Sequence, residues 1–365
     1  MAMRNETREA KLEALEERIV RSVEELVSGD DWRQAMEFAA RFRSRSFNNT
    51  LLIWAQHLEA YEQGRVPTPT PTWVAGFQDW KKMGRWAEAG GGYEIRAPVR
   101  VRFATATPKD PASWRRLAKG QSPRPGEVVQ RRVVNVVPAH VWDVSRTHGA
   151  ELPELPSPKL LEGEAPAGLW EGLATQVESL GYEVLRMPDS DAIRGANGMT
   201  DYETRQVLVR TGMDPAAQVK TLAHELGHVR LHGPNQQDAR QHRGIGEVEA
   251  ESLALMIAAA HGMDTSDYTI PYVAGWAANV DGKDPVQVIR DTGEKVRRTA
   301  TEVLSQLDTI QLGNGNPVSL RIDGPEHAGT EHPGPEHPVP EQTAGRTPLP
   351  ERELRRVQAV PGRGL

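Results

Sequence analysis

The sequence predicts an α+β protein, and three observations carry that prediction. Apolar residues recur at three- and four-residue steps near the start of the chain. Short runs of alternating, β-branched character crowd its first half. In the second half, helical and strand-like segments alternate around a His-Glu-x-x-His pattern.

The first helix is expected over 5–27, where Leu12, Leu15, Ile19, Val23 and Leu26 form one stripe and Gly29 supplies a stop. A second is expected over 32–43 and a third over 50–61, the latter capped by Asn48 or Asn49. Alternating Pro and Thr from Pro67 to Pro71 cannot continue a helix and read as an extended connector. Strand-type segments follow at 93–95, 99–103 and 133–137, with a Lys-, Arg-, Pro- and Ser-rich loop over 108–126. Pro153, Pro156, Pro158 and Pro166 mark 151–167 as a linker. Beyond it, helices are expected over 169–180, 216–232, 246–261 and 286–307, with strands over 182–186 and 205–210. From residue 313 onward Pro, Gly, Glu and Thr dominate without periodicity, which predicts a disordered tail. Its His residues at 327, 332 and 337 read as part of a solvated segment. The expected domains are therefore 1–150 and 168–312.

Composition narrows the function. With no cysteine in 365 residues, disulfide frameworks, thiolate metal sites and cysteine nucleophiles are excluded. No long apolar run or apolar leader is present, so the expected setting is soluble and cytoplasmic, with no membrane partner. The net charge of −6 conceals a division: residues 41–146 hold 18 basic and 8 acidic residues, whereas 147–365 hold 20 and 32. The basic block also carries 12 of the 20 aromatics. Cations interleaved with flat side chains are what a single-stranded nucleic acid needs for phosphates and unstacked bases.

Thr221-Leu222-Ala223-His224-Glu225-Leu226-Gly227-His228 is the sharpest signal. On a helix, positions i and i+4 lie one turn apart on one face, so both imidazoles can reach one ion. Glu225, beside the first ligand, can act as the base that takes a proton from water. Two surface histidines on an ordinary core helix would also fit a bare His-x-x-x-His; the internal Glu and the apolar residues around it argue for more. A third protein ligand is needed, and His232, Glu247, Glu249, Glu251 and His261 are the candidates. His232 is about 12 Å along the helix from His224 and is read as a helix-end group. Glu247 and Glu251 share a face with Ala250 and Ala254, small enough for close approach to the metal helix. Glu247 is thus the expected third ligand and Glu251 the acceptor for a His ring nitrogen. Glu249 points away and reads as a solvated acid at a helix start. Tyr268 and Tyr272 have no spacing argument for the site and read as packing residues. The implied cofactor is one Zn²⁺.

These residues resemble the zincin-type metallopeptidase domains of the ImmA/IrrE class. There a strand hairpin precedes the His-Glu-x-x-His helix and a Glu on the next helix completes the site. Asn197-Gly198-Met199-Thr200 followed by Arg205-Gln206-Val207-Leu208-Val209 supplies the hairpin, and Glu247 the acid. Arg45 to Gln56, Trp73 to Trp80, Gly84-Arg85 and Val141 to Thr147 resemble the N-terminal domain of ArdC-type antirestriction proteins. That resemblance covers roughly residues 10–310 and implies a single-stranded DNA-binding domain ahead of a zincin-like domain, protecting incoming plasmid DNA. Members usually show a Lys-Gly pair in the turn where this chain has Trp86-Ala87-Glu88-Ala89-Gly90-Gly91-Gly92. The expected DNA contacts are Arg43, Arg45, Asn49, Trp73, Phe77, Trp80, Lys81 and Arg85. For the aromatics, core packing competes with base stacking; for Asn49, helix capping does. Two other functions stay open at this point: a regulatory metallopeptidase that cuts a repressor protein, and a DNA-binding protein with a structural metal.

Overall fold

A computed structural model of the chain describes residues 2–152, 163–188, 193, 195–232, 243–266, 268, 270, 273–278, 280 and 282–317. Most of the expected linker, the His-containing tail and Tyr272 lie outside the described residues.

Three helices open the chain: α1 (Ala2–Glu24), α2 (Gly29–Arg41) and α3 (Phe47–Glu62). A reciprocal capping box starts α2. The Asp31 amide donates to the Ser28 hydroxyl at 3.2 Å, and the Ser28 amide donates to the Asp31 carboxylate at 2.7 Å. Ser46 caps α3, not Asn48 or Asn49. The helix begins earlier than expected because Phe47 is buried as part of its first turn, and both asparagines are committed elsewhere.

The strand-like pieces of the first half fuse into two long strands, β3 (Tyr93–Thr105) and β5 (Val128–Asp143). They pair antiparallel from Tyr93↔Val141 to Thr105↔Val128, with an irregularity at Val99/Arg100. The short strands β1 (Val74–Gly76) and β4 (Arg115–Arg116) flank them in the order β1-β5-β3-β4. A short helix α4 (Phe77–Lys82) follows β1, and β2 (Arg85–Ala87) pairs with β6 (Thr147–Gly149). The loop expected over 108–126 is ordered in part, through β4 and a 3-10 turn at Pro111–Ser113.

The second half contains α5 (Leu169–Ser179) and a three-stranded sheet in the order β7-β9-β8. Its strands are β7 (Glu183–Met187), β8 (Gly198–Asp201) and β9 (Gln206–Arg210). β8 and β9 are antiparallel, as the expected hairpin requires, while β7 runs parallel to β9. Among the described residues four helices follow: α6 (Pro215–Leu231), α7 (Arg243–Ala260), α8 (Val273–Ala278) and α9 (Pro285–Ser305).

One apolar core joins the two halves. Leu15, Ile19, Trp32, Met36, Phe47 and Leu51 from α1–α3 pack in the same cluster as Leu226, Leu253, Met256, Val296 and Val303. Trp32 sits at the joint, fully buried. Its indole N–H donates to the Ser252 hydroxyl at 2.8 Å, and its ring meets Trp276 edge-on at 5.3 Å.

Candidate metal centre

Asp214 caps α6, its carboxylate accepting from the Ala217 amide at 2.8 Å, and Pro215 sets the first turn. Leu222, Ala223, Leu226 and Val229 bury the helix, which fixes the rotation of its remaining face. His224 and His228 stand one turn apart there, with their Nε2 atoms 3.0 Å from each other. A Glu247 oxygen from α7 lies 3.5 Å from His224 Nε2 and 3.6 Å from His228 Nε2.

Close packing of α6 on α7 makes this convergence possible. A Cβ on Gly227 would sit 2.9 Å from the Ala250 Cα. The expected face of Glu247, Ala250 and Glu251 is therefore the one that meets the histidine helix. Glu251 accepts from His224 Nδ1 at 2.9 Å. With its Nδ1 proton committed there, Nε2 is the ring nitrogen left to give up its proton to a metal.

The three donor atoms lie within 4.8 Å of one another. Two imidazole nitrogens facing at 3.0 Å repel unless a proton or cation lies between them. Ligands in a tetrahedral site with bonds of about 2.0–2.2 Å stand roughly 3.3–3.6 Å apart. The donor set thus fits a divalent cation, on its spacing and on its nitrogen and oxygen chemistry. Electrostatics agree in direction. Burial opposes charge on His224, but its bonds to Glu247 and Glu251 outweigh that and push it up to about 10. Hydrogen bonds from His224 and His228 hold the Glu247 carboxyl far below the usual range.

Glu225 is buried, and burial pushes its carboxyl up, against the opposing effects of Thr200 and of His224 and His228. The Thr200 hydroxyl, on β8, donates to Glu225 Oε2 at 2.6 Å. Gly198 on the same strand lies so close that a Cβ there would be 2.7 Å from Glu225 Oε1. Thr200 belongs to the hairpin that the sequence identified, but nothing in the spacing paired it with Glu225.

Glu249 corrects an expectation. It is buried, not solvated, and accepts from Lys295 on α9 at 2.6 Å, with His232 Nε2 at 3.4 Å. His232 is the C-cap of α6, as a helix-end group, and its Nε2 also lies 3.1 Å from the Gly246 carbonyl. His261 is buried against the Ile257 carbonyl and the Thr309 hydroxyl, away from the donor trio. Tyr268 packs in the core with its hydroxyl donating to the Ala254 carbonyl.

Several of the expected DNA contacts are engaged within the fold. Arg43 donates to Gln311 and to backbone carbonyls at 40, 312 and 313, and Arg45 to the Val74 carbonyl. Arg85 donates to the Thr147 hydroxyl and carbonyl and to the Ala150 carbonyl. Asn49 clamps β3, its amide donating to the Arg96 carbonyl at 2.9 Å while its oxygen accepts from the Arg96 amide at 3.0 Å. Trp80 is fully buried with its N–H on the Trp142 carbonyl. Trp73 is half-buried, and Phe77 and Lys81 are exposed.

Comparison with known proteins fits this arrangement. The profile of the N-terminal domain of anti-restriction factor ArdC matches residues 10–127, and that of the IrrE N-terminal-like domain matches residues 177–270. Residues 10–127 are thus ArdC-like and residues 177–270 IrrE-like. An uncharacterized protein of Bacillus anthracis is 23% identical over 303 residues, which are 77% of this chain and 49% of the relative. The chain thus spans about half the length of that relative. A Mn(II)-bound crystal structure of the antirestriction ArdC protein from plasmid R388 is 17% identical, covers 72% of this chain and 88% of its own, and superposes with a TM-score of 0.39. No described helix is long and apolar enough to cross a membrane.

Proposed function

We propose that this protein binds single-stranded DNA through residues of its first half, carries one Zn²⁺ on its second, and serves antirestriction during plasmid transfer. The convergence of His224, His228 and Glu247 beside a buried Glu225 supports the metal half of this reading. The match of residues 10–127 to the ArdC N-terminal domain supports the DNA half. That this matched domain is the one found in an anti-restriction factor supports the biological role.

In this reading His224, His228 and Glu247 hold the ion, and Glu251 keeps His224 in the ligating tautomer. Bound there, a Zn²⁺ polarises a carbonyl and acidifies a water. Glu225 uses its free Oε1, since Oε2 is held by Thr200, to accept the proton from the attacking water and return it to a leaving amine. Its raised affinity for a proton suits that exchange. A peptide is the substrate class such a carboxylate and metal serve.

Glu225→Gln tests the reading. The variant is expected to keep its metal, by elemental analysis, and its affinity for a labelled oligonucleotide, while losing any hydrolysis of a protein substrate. If it still protects plasmid DNA from restriction in a mating assay, the protective function does not run through proteolysis. Loss of oligonucleotide binding by the wild-type chain would remove the DNA half.

A further inference from the structure

Beyond Ala97 and Val137 the β3–β5 ribbon leaves the core: none of residues 98–103 or 128–137 is buried. This arm, residues 99–137, carries nine Lys and Arg against two Asp and Glu, in a chain whose net charge is −6. Both acids are occupied locally. Asp110 accepts from the Ala112 amide, and Glu127 is gripped by Arg115 at 2.9 and 2.6 Å. Among the described residues, Arg100, Arg102 and Arg131 make no ion pair.

The register concentrates these charges. Arg102 stands directly opposite Arg131, and Arg100 opposite Val133, so all three guanidinium groups project from one face. Like charges in direct opposition weaken a ladder, so this pairing costs stability that folding alone does not require. Arg102 makes one long bond, 3.4 Å, to the Gln121 carbonyl. Val129 and Val133 lie on the same face and are 38% and 55% exposed, leaving an apolar strip between the cations.

We infer that this face of the β3–β5 arm is the surface on which a nucleic-acid strand lies, with Arg100, Arg102 and Arg131 on its phosphates and the valine strip against its sugars and bases. The inference rests on the DNA reading above and locates it. Charge complementarity selects the polyanion, and Arg100 and Arg102, about 6.7 Å apart along one strand, can take successive phosphates.

The test uses the full chain and a labelled oligothymidylate titrated over a salt series. Replacing Arg100, Arg102 and Arg131 together by Ser is expected to weaken binding at low salt by about tenfold or more and to reduce the salt slope by about 2, at about 0.7 per lost phosphate contact. The triple Lys variant controls for folding and is expected to keep the slope. Arg131→Thr alone relieves the opposed pair and is expected to raise or preserve the melting temperature while weakening binding. If the wild-type chain binds the oligonucleotide and the Ser variant binds equally well with the same slope, the arm is not the surface and the DNA reading survives. If the wild-type chain binds no oligonucleotide, both fall. Tighter binding of a polyglutamate peptide of equal charge, lost in the Ser variant, would overturn the inference in favour of an acidic protein partner.

Discussion

Gly227→Ala separates two opposing effects of comparable size. In an open helix interior, Ala is better than Gly by about 1 kcal/mol, so the substitution would stabilise α6 if nothing stood nearby. Here the added Cβ would lie 2.9 Å from the Ala250 Cα and 3.2 Å from both its Cβ and its carbonyl oxygen. Carbon contacts are optimal at about 3.5–4.0 Å, so α6 and α7 must part by about 0.6 Å or more. Neither side can yield by rotating a side chain, since the obstruction is helix backbone. Overpacking of this kind costs about 1–3 kcal/mol, which after the helical gain leaves a net loss of up to about 2 kcal/mol. The same displacement draws Glu247 away from His224 and His228, beyond the roughly 0.2 Å that a metal site tolerates. Metal affinity is expected to fall at least about tenfold, the lower end of what disturbed ligand support produces. Urea unfolding gives the first quantity and competition with a chromophoric chelator the second. A variant about 1 kcal/mol more stable than the parent, with unchanged affinity, would refute the tight contact.

Three further substitutions probe the same framework. Lys295→Met leaves Glu249 buried without its cation and is expected to cost about 2–3 kcal/mol, less than a fully buried pair because Lys295 is one-third exposed. Burial already raises Glu249 against the pull of Lys295, and the variant raises it further. Its native state then binds more protons than its unfolded state, so stability is expected to fall as pH rises from the ordinary carboxylate range through the folded value; a pH series of unfolding curves that rises would contradict this. Glu251→Ala frees His224 Nδ1 and is expected to lower metal affinity by about 10–100-fold with little change in secondary structure, read by chelator competition and circular dichroism. Ser28→Ala removes half the capping box of α2 and is expected to cost about 1 kcal/mol in urea unfolding, without affecting metal content.

The grouping of the candidate metal ligands was legible because it is written in short-range spacing. His224 and His228 are one turn apart, Glu247 and Glu251 one turn apart on the next helix, and the intervening alanines announce the close packing. What failed to show was long-range. Glu249 is two positions from Glu247, which gives an opposite direction but not what lies there; Lys295 comes from a helix 46 residues on. A signal did exist, since the unbroken apolar run from Leu253 to Ala260 marks a helix buried on most sides, where a solvated Glu is out of place. The same limit explains Arg43 and Asn49. Their partners are 268 and 47 residues away, so only the folded chain reveals that these side chains also hold the protein together. Strand lengths were underestimated because Arg96-Ala97-Pro98 and Pro138-Ala139-His140 break the apolar alternation without interrupting the strands.

Phe47 offers its amide to Glu294, Asn48 accepts from Arg290, and Trp32 is lodged against Ser252 and Trp276. A gene fragment encoding only 168–317 would bare the flank of α7 on which Trp32 rests, wetting the rear of the very helix whose front carries Glu247 and Glu251. The amino-terminal third would likewise meet water with its tryptophan. Recombination could not trade either portion as a self-sufficient cassette without also carrying over the seam, so substitutions at Phe47, Asn48 and Trp32 should drift together with those at Arg290, Glu294 and Ser252.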